Sequence, residues 1–196
     1  TKMKDLTSFL TGEKPSSEAF ETVSVTPGLG EIPEIWLLAS SKQGVEYAAH
    51  FGLPMSLAYF INEDCLHLAD YYREEFQPSV FSERPIVSLG IFAICADTDE
   101  EAERLSSSAA LWRMNMQRGI FSTFLTTEES LKVINKDIIN HSDRRTFIGS
   151  PEKIYKKLEP LLEKTKPDEL KVVTICEPLV ERVKSYKLLK AFFDSK

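Results

Sequence analysis

Four short apolar runs without helical period, at about 34–39, 55–60, 86–95 and 170–176, alternate along the chain with segments whose apolar residues recur every three or four positions. Uninterrupted apolarity over so few residues predicts strands buried on both faces of a parallel sheet, and the alternation predicts helices between them. The chain opens on a helix over Lys2 to Leu10, with Met3, Leu6, Phe9 and Leu10 on one side and Gly12 as its stop. Val45, Tyr47, Ala48 and Phe51 mark a second helix from Gly44 to Phe51, ended by Gly52 and Pro54. Asn62 caps a third that runs to about Phe76, and Asp97 or Thr98 with Glu101 starts a long fourth to about Arg118. Ser150-Pro151-Glu152 opens a fifth that ends before Pro167, and Leu179 to Phe193 form the last. Two stretches resist the pattern. Glu13 to Ile32 reads as a connector with a short edge strand at Phe20 to Val25, and Gly119 to Arg145 as a surface helical hairpin.

Residues 33–62 pack a strand, a small-residue turn, a short helix and a second strand into one segment, the pattern of a right-handed parallel crossover. The turn of such a unit lies at the carboxyl ends of the strands, where ligands collect. A helix starting there points its free amides and positive dipole end into the turn, which suits an anion. Ser40 and Ser41 allow close backbone approach and add donors, so a phosphate is the natural guest.

Composition removes several other classes. A chain of 196 residues with 42% hydrophobic and 28% charged residues is predicted to form a single domain over 1–196. A formal net charge of −6 argues against a nucleic-acid footprint and against an anionic membrane surface. The longest apolar stretch, Ile86 to Ala96, is too short to span a bilayer. Cys65, Cys95 and Cys176 are odd in number and lack metal-ligand spacing, which predicts reduced core residues of a cytoplasmic protein. His50, His67 and His141 have no partner at metal-binding spacing, so no metal is expected. Ala39-Ser40-Ser41-Lys42 is not the strained elbow that a serine nucleophile needs.

Trp36-Leu37-Leu38-Ala39-Ser40-Ser41, the paired Ala48-Ala49 and Gly52-Leu53-Pro54-Met55 resemble the corresponding strand, helix and strand of the bacterial luciferase-like flavin-dependent monooxygenases, in their single-component branch. Ala96-Asp97-Thr98-Asp99-Glu100-Glu101-Ala102, Gly149-Ser150-Pro151-Glu152, Asp168-Glu169-Leu170 and Ser185-Tyr186 occur in family order across nearly the whole chain. The resemblance implies an FMN cofactor whose phosphate is held by Ser40 and Ser41, with Ala39 and Gly44 contributing backbone contacts. Ala39 stands where the family carries glycine, and Gly44 where it carries a hydroxyl residue, so one side-chain contact is lost and Lys42 or Gln43 substitutes for it. Residues 119–146 correspond to a variable insertion that can fold over the flavin in relatives. Tyr59 and Phe60 either line a flavin or substrate pocket or pack in the core. No catalytic residue is assigned.

A closed (β/α)8 barrel has eight strands in roughly 250 residues, and this chain has half of them. The resemblance makes these the fifth to eighth strands, so the expected fold is α/β, a partial TIM-type barrel. The implied activity is that of an oxidoreductase using reduced FMN and O2 on a small organic substrate. Two alternatives stand beside it: a non-catalytic half-barrel that has lost flavin binding, and one half of a split enzyme. Helices on one side only would leave an apolar sheet face in water, which predicts a cover. A second copy in a homodimer, a separate amino-terminal half chain and rearranged helices are the candidates, with self-association the leading one.

Overall fold

The computed structural model describes residues 2–26, 31–134 and 145–196, in two compact units, Thr1–Ile35 and Trp36–Lys196. In the first, helix α1 (Lys2–Thr11) ends where Gly12 takes a φ of 75°. The buried carboxylate of Asp5 accepts from the Ser17 amide at 2.9 Å and folds the segment after α1 back onto the helix. The expected edge strand at Phe20 to Val25 does not form. Phe20 belongs to a 3₁₀ turn, Glu18–Phe20, the Val23 amide bonds back to the Phe20 carbonyl, and Val23 and Val25 are exposed.

The second unit is the expected parallel α/β structure. Its elements are β1 (Leu37–Ala39), α2 (Lys42–His50), β2 (Met55–Ala58), α3 (Leu68–Glu75), β3 (Val87–Cys95), α4 (Asp99–Gln117), α5 (Thr127–Val133), β4 (Thr146–Gly149), α6 (Pro151–Thr165), β5 (Glu169–Val173) and α7 (Leu179–Asp194). Every strand pair is parallel, β1 on β2, β2 on β3, and both β4 and β5 on β3. Strand β4 is an addition to the four that the apolar runs predict. Its four residues sit at the end of the polar stretch and against a helix start, so no run of useful length announces it. Nine-residue β3 is long enough to hold β2 along Val87 to Gly90 and β4 along Phe92 to Cys95. Of the predicted hairpin, α5 is present behind a capping box of Thr126 and Glu129, while His141 lies outside the described residues.

Alternation sorts the side chains of β3 onto two faces. Val87, Leu89, Ile91, Ala93 and Cys95 face the main core, where they meet Val45 and Ala48 of α2, Tyr72 of α3, Ile154 and Leu158 of α6 and Leu189 of α7. Ile94 faces the other way, into a smaller core with Ala102, Leu105 and Ala109 of α4 and Cys176. On the same concave face below it, apolar Leu38 and Val173 are exposed beside polar positions. Ser56 and Ser88 are paired in register there, both buried, and Gly90 leaves room for the ring of Phe60, which lies 4.6 Å from that of Phe92. Lys171 on β5 reaches over Trp36, which precedes β1, with its ammonium 3.3 Å from the ring centroid. These two side chains come from opposite edges of the sheet and span the face between them.

Asp168 ties the foot of β5 to that of β3. Its carboxylate accepts from the Val87 amide at 2.9 Å and from Arg84 at 2.9 Å, while its own amide donates to the Val87 carbonyl at 2.7 Å. Burial opposes ionisation most strongly, but the Val87 amide and the Arg84 charge together outweigh it and hold the carboxyl below its usual range. A carboxyl that ionises more readily in the folded chain stabilises fully above the unfolded value, near 3.9, and loses that contribution as pH falls through the lower folded value. Asp168→Asn is therefore expected to lower stability by about 1–2 kcal/mol at pH 7 and by much less near pH 2, discounting for partial exposure. Urea unfolding at both pH values checks this; a pH-independent deficit contradicts it.

Candidate functional site

The short β1 strand positions the turn. Leu37, Leu38 and Ala39 pair with Met55, Ser56 and Leu57, and the methyl of Ala39 is buried beneath the Ser40–Ser41 turn. Ser41 has extended backbone and caps α2, accepting from the Gly44 amide at 3.3 Å, while its carbonyl takes the Val45 amide at 3.1 Å. The cap starts the helix at Lys42, two residues before the expected start at Gly44. Its opening amides, at Lys42 and Gln43, precede the first residue that can bond back within the helix. Ser40, Ser41 and Gly44 thus meet at one corner over Ala39, and that corner faces the carboxyl ends of the strands.

Gly44 explains why the corner is shaped as it is. A Cβ there would lie 3.1 Å from the Cβ of Ala39 and 3.6 Å from the Ser41 hydroxyl. Ala39 and Gly44 therefore form one packing arrangement: the methyl at 39 takes the room that a side chain at 44 would need. Bare backbone at 44 keeps the amide end of α2 open, a fit for a phosphate held mainly by amides and by serine hydroxyls.

Charge distinguishes this helix start from its neighbours. The first turn of α4 carries Asp99, Glu100 and Glu101. At α6 the Ser150 amide already donates to Asp99 at 2.7 Å, and Lys153 stands 3.3 Å from the same carboxylate. The Ser150 amide, with Lys153, holds the Asp99 carboxyl below its usual range. An internal anion thus sits at α6. The first turn of α2 has no acidic residue and begins with Lys42.

Asn62 is expected from sequence only to cap a helix. Its Oδ1 does cap the 3₁₀ turn Glu63–His67 that leads into α3, accepting from the Asp64 amide at 3.0 Å. Its Nδ2 also donates to the Ser40 carbonyl at 2.9 Å. Nothing in the spacing of two residues 22 apart signals that contact. Tyr59 resolves toward the core, buried beside Phe147 with the rings 6.0 Å apart, while Phe60 turns onto the concave face. The thiols of Cys65, Cys95 and Cys176 are buried and unpaired, and burial pushes them up to about 11, 12 and 11, far from reactive thiolates. Among the described residues there is no group of metal-ligating side chains, and no helix is long and apolar enough to cross a membrane.

Successive β/α units with every strand pair parallel form an α/β sheet of the kind found in TIM-type barrels. Residues 7–169 match the family described as luciferase-like monooxygenase, and the chain belongs to that family. It is 30% identical over 197 residues to the protein YceB of Bacillus subtilis (strain 168), covering 98% of this chain and 60% of that one. It is 28% identical over 155 residues to the luciferase-like monooxygenase of Escherichia coli (strain K12), covering 76% and 46%. Among solved structures, apo-MsnO8 superimposes with a TM-score of 0.77 at 27% identity, over 91% of this chain and 56% of that one. The long-chain alkane monooxygenase LadA shares the fold, with a TM-score of 0.58 at 17% identity, over 93% of this chain and 46% of that one. The chain spans about 60% or less of the length of these relatives.

Proposed function

We propose that this chain is the phosphate-holding part of an FMN-dependent monooxygenase, corresponding to the fifth to eighth strands of the family barrel with residues 119–146 as its variable insertion. The observation that supports it best is the β1–α2 corner, with two serines, no acidic residue in the first helical turn and no side chain at Gly44. Ser40 and Ser41 would bind the phosphate through their hydroxyls and amides, with Ala39 and Gly44 shaping the backbone around it. The Ser41 hydroxyl accepts from the Gly44 amide through a lone pair, so its own O–H would remain available to donate to a phosphate oxygen. Bound reduced flavin supplies the electrons and the reaction with O2 that places one oxygen atom in a small organic substrate.

A complete pocket on this reading takes further β/α units, from a second copy in a homodimer or from an amino-terminal half chain. Support comes from α7, where Leu179, Val180, Val183 and Tyr186 leave an apolar stripe exposed. Buried, unpaired thiols fit a cytoplasmic setting. The reading is tested by titrating the protein with FMN and with riboflavin, which lacks the phosphate, and monitoring flavin fluorescence. FMN is expected to bind at least about tenfold more tightly, the effect of one or two charge-assisted hydrogen bonds. Equal affinities contradict it.

A further inference from the structure

Resting on the phosphate-seat reading, we infer that Asn62 is a positioning residue for that seat: it fixes the Ser40–Ser41 peptide so that the Ser41 amide faces the phosphate. The carbonyl and amide of a trans peptide point in opposite directions across its plane. Asn62 holds the Ser40 carbonyl from the side of the β2 turn at 2.9 Å, so the Ser41 N–H points away from Asn62, out over the corner that begins α2. Without that bond the peptide is free to rotate, and the first amide of the seat turns with it.

The brace is rigid because both ends of the Asn62 amide are engaged. Oδ1 accepts from the Asp64 amide at 3.0 Å, which requires the oxygen on that side and leaves the nitrogen for Ser40. The Asn62 backbone amide bonds to the Ala58 carbonyl at 3.2 Å, and the neighbouring Ile61 carbonyl accepts from Arg145. The turn after β2 is thereby anchored to its own strand and to the approach to β4. Asn62 passes that fixed position across to the turn after β1. Aspartate at 62 would keep the acceptor for Asp64 and lose the donor to Ser40, so Asn62→Asp separates the two roles.

The test compares wild type, Asn62→Asp and Asn62→Ala in the full chain. For Asn62→Asp, FMN affinity should fall about tenfold, the loss of one well-aimed charge-assisted bond, while riboflavin affinity changes less than about twofold. The Ser41 amide resonance of the flavin-free protein should also move in both variants. In Asn62→Ala the Asp64 resonance should move as well, reporting loss of the cap. An unchanged Ser41 resonance together with unchanged FMN affinity overturns the inference, as does an equal loss of FMN and riboflavin, which marks a merely structural role. If wild type does not prefer FMN over riboflavin, the phosphate seat itself fails, and the Ser41 resonance still decides whether Asn62 orients the peptide.

Discussion

Replacing Ser40 and Ser41 together by aspartate will remove the preference for FMN over riboflavin. Aspartate is as good a helix cap as serine, so α2 keeps its start and the fold is retained. Each carboxylate would stand about 4 Å from the bound phosphate, where like charges repel by roughly 1–4 kcal/mol between the bulk-water and near-surface limits. Two of them, with two hydroxyl donors lost, should weaken FMN by about 100-fold or more. Riboflavin, which presents no phosphate to that corner, should bind within a few-fold of its wild-type affinity. Retained FMN binding in this variant, with unchanged unfolding temperature, places the phosphate elsewhere.

Gly52→Ala is expected to give the largest loss of stability. Gly52 ends α2 with a φ of 61°, and a Cβ there would fall 2.4 Å from the Gln77 carbonyl oxygen and 2.6 Å from the Ser79 Cβ. Neither neighbour can yield cheaply, because the Gln77 amide bonds to the Ala49 carbonyl at 3.0 Å and the Ser79 hydroxyl to the Gly52 carbonyl at 2.8 Å. The left-handed backbone costs about 1–2 kcal/mol for alanine and the overlap about 1–3 more, so the expected loss is about 2–5 kcal/mol. Gly119 is the control: its φ is 70° but nothing lies within 4 Å of an added Cβ, so Gly119→Ala should show the backbone cost alone. Urea unfolding of the two variants checks the contrast, and similar losses in both contradict it.

Much of this architecture was legible in the pattern of apolar residues: β2 and β3 are buried along almost their whole length, as continuous apolar runs predict, whereas β1 and β5 keep partly exposed residues such as Leu38 and Val173. Leu89 and Gly90 lie in β3, and Met55 and Leu57 in β2, as their runs predict. The strand, small-residue turn and helix that carry Ser40 and Ser41 were legible too, from an apolar run followed by an apolar helical period, but the cap by Ser41 and the helix start at Lys42 were not. The features that escaped depend on distant partners. Strand β4 exists because β3 has spare length beyond Gly90, a fact of three-dimensional register with no local signature. The second bond of Asn62 joins the turns after two different strands, and the contact of Lys171 with the Trp36 ring joins residues far apart in the chain. The match between Ala39 and Gly44 was hidden for the same reason: the two lie five positions apart, and only their separation in space shows that they share one methyl-sized volume.

The central claim is that the β1–α2 corner grips the phosphate of a flavin nucleotide, and amide resonance mapping with FMN and riboflavin reads it residue by residue. The account predicts that FMN, and not riboflavin, moves the resonances of Ser41, Lys42, Gln43 and Gly44. Identical shifts from the two flavins at those residues, or phosphate-dependent shifts confined to the start of α6 around Ser150, would contradict it.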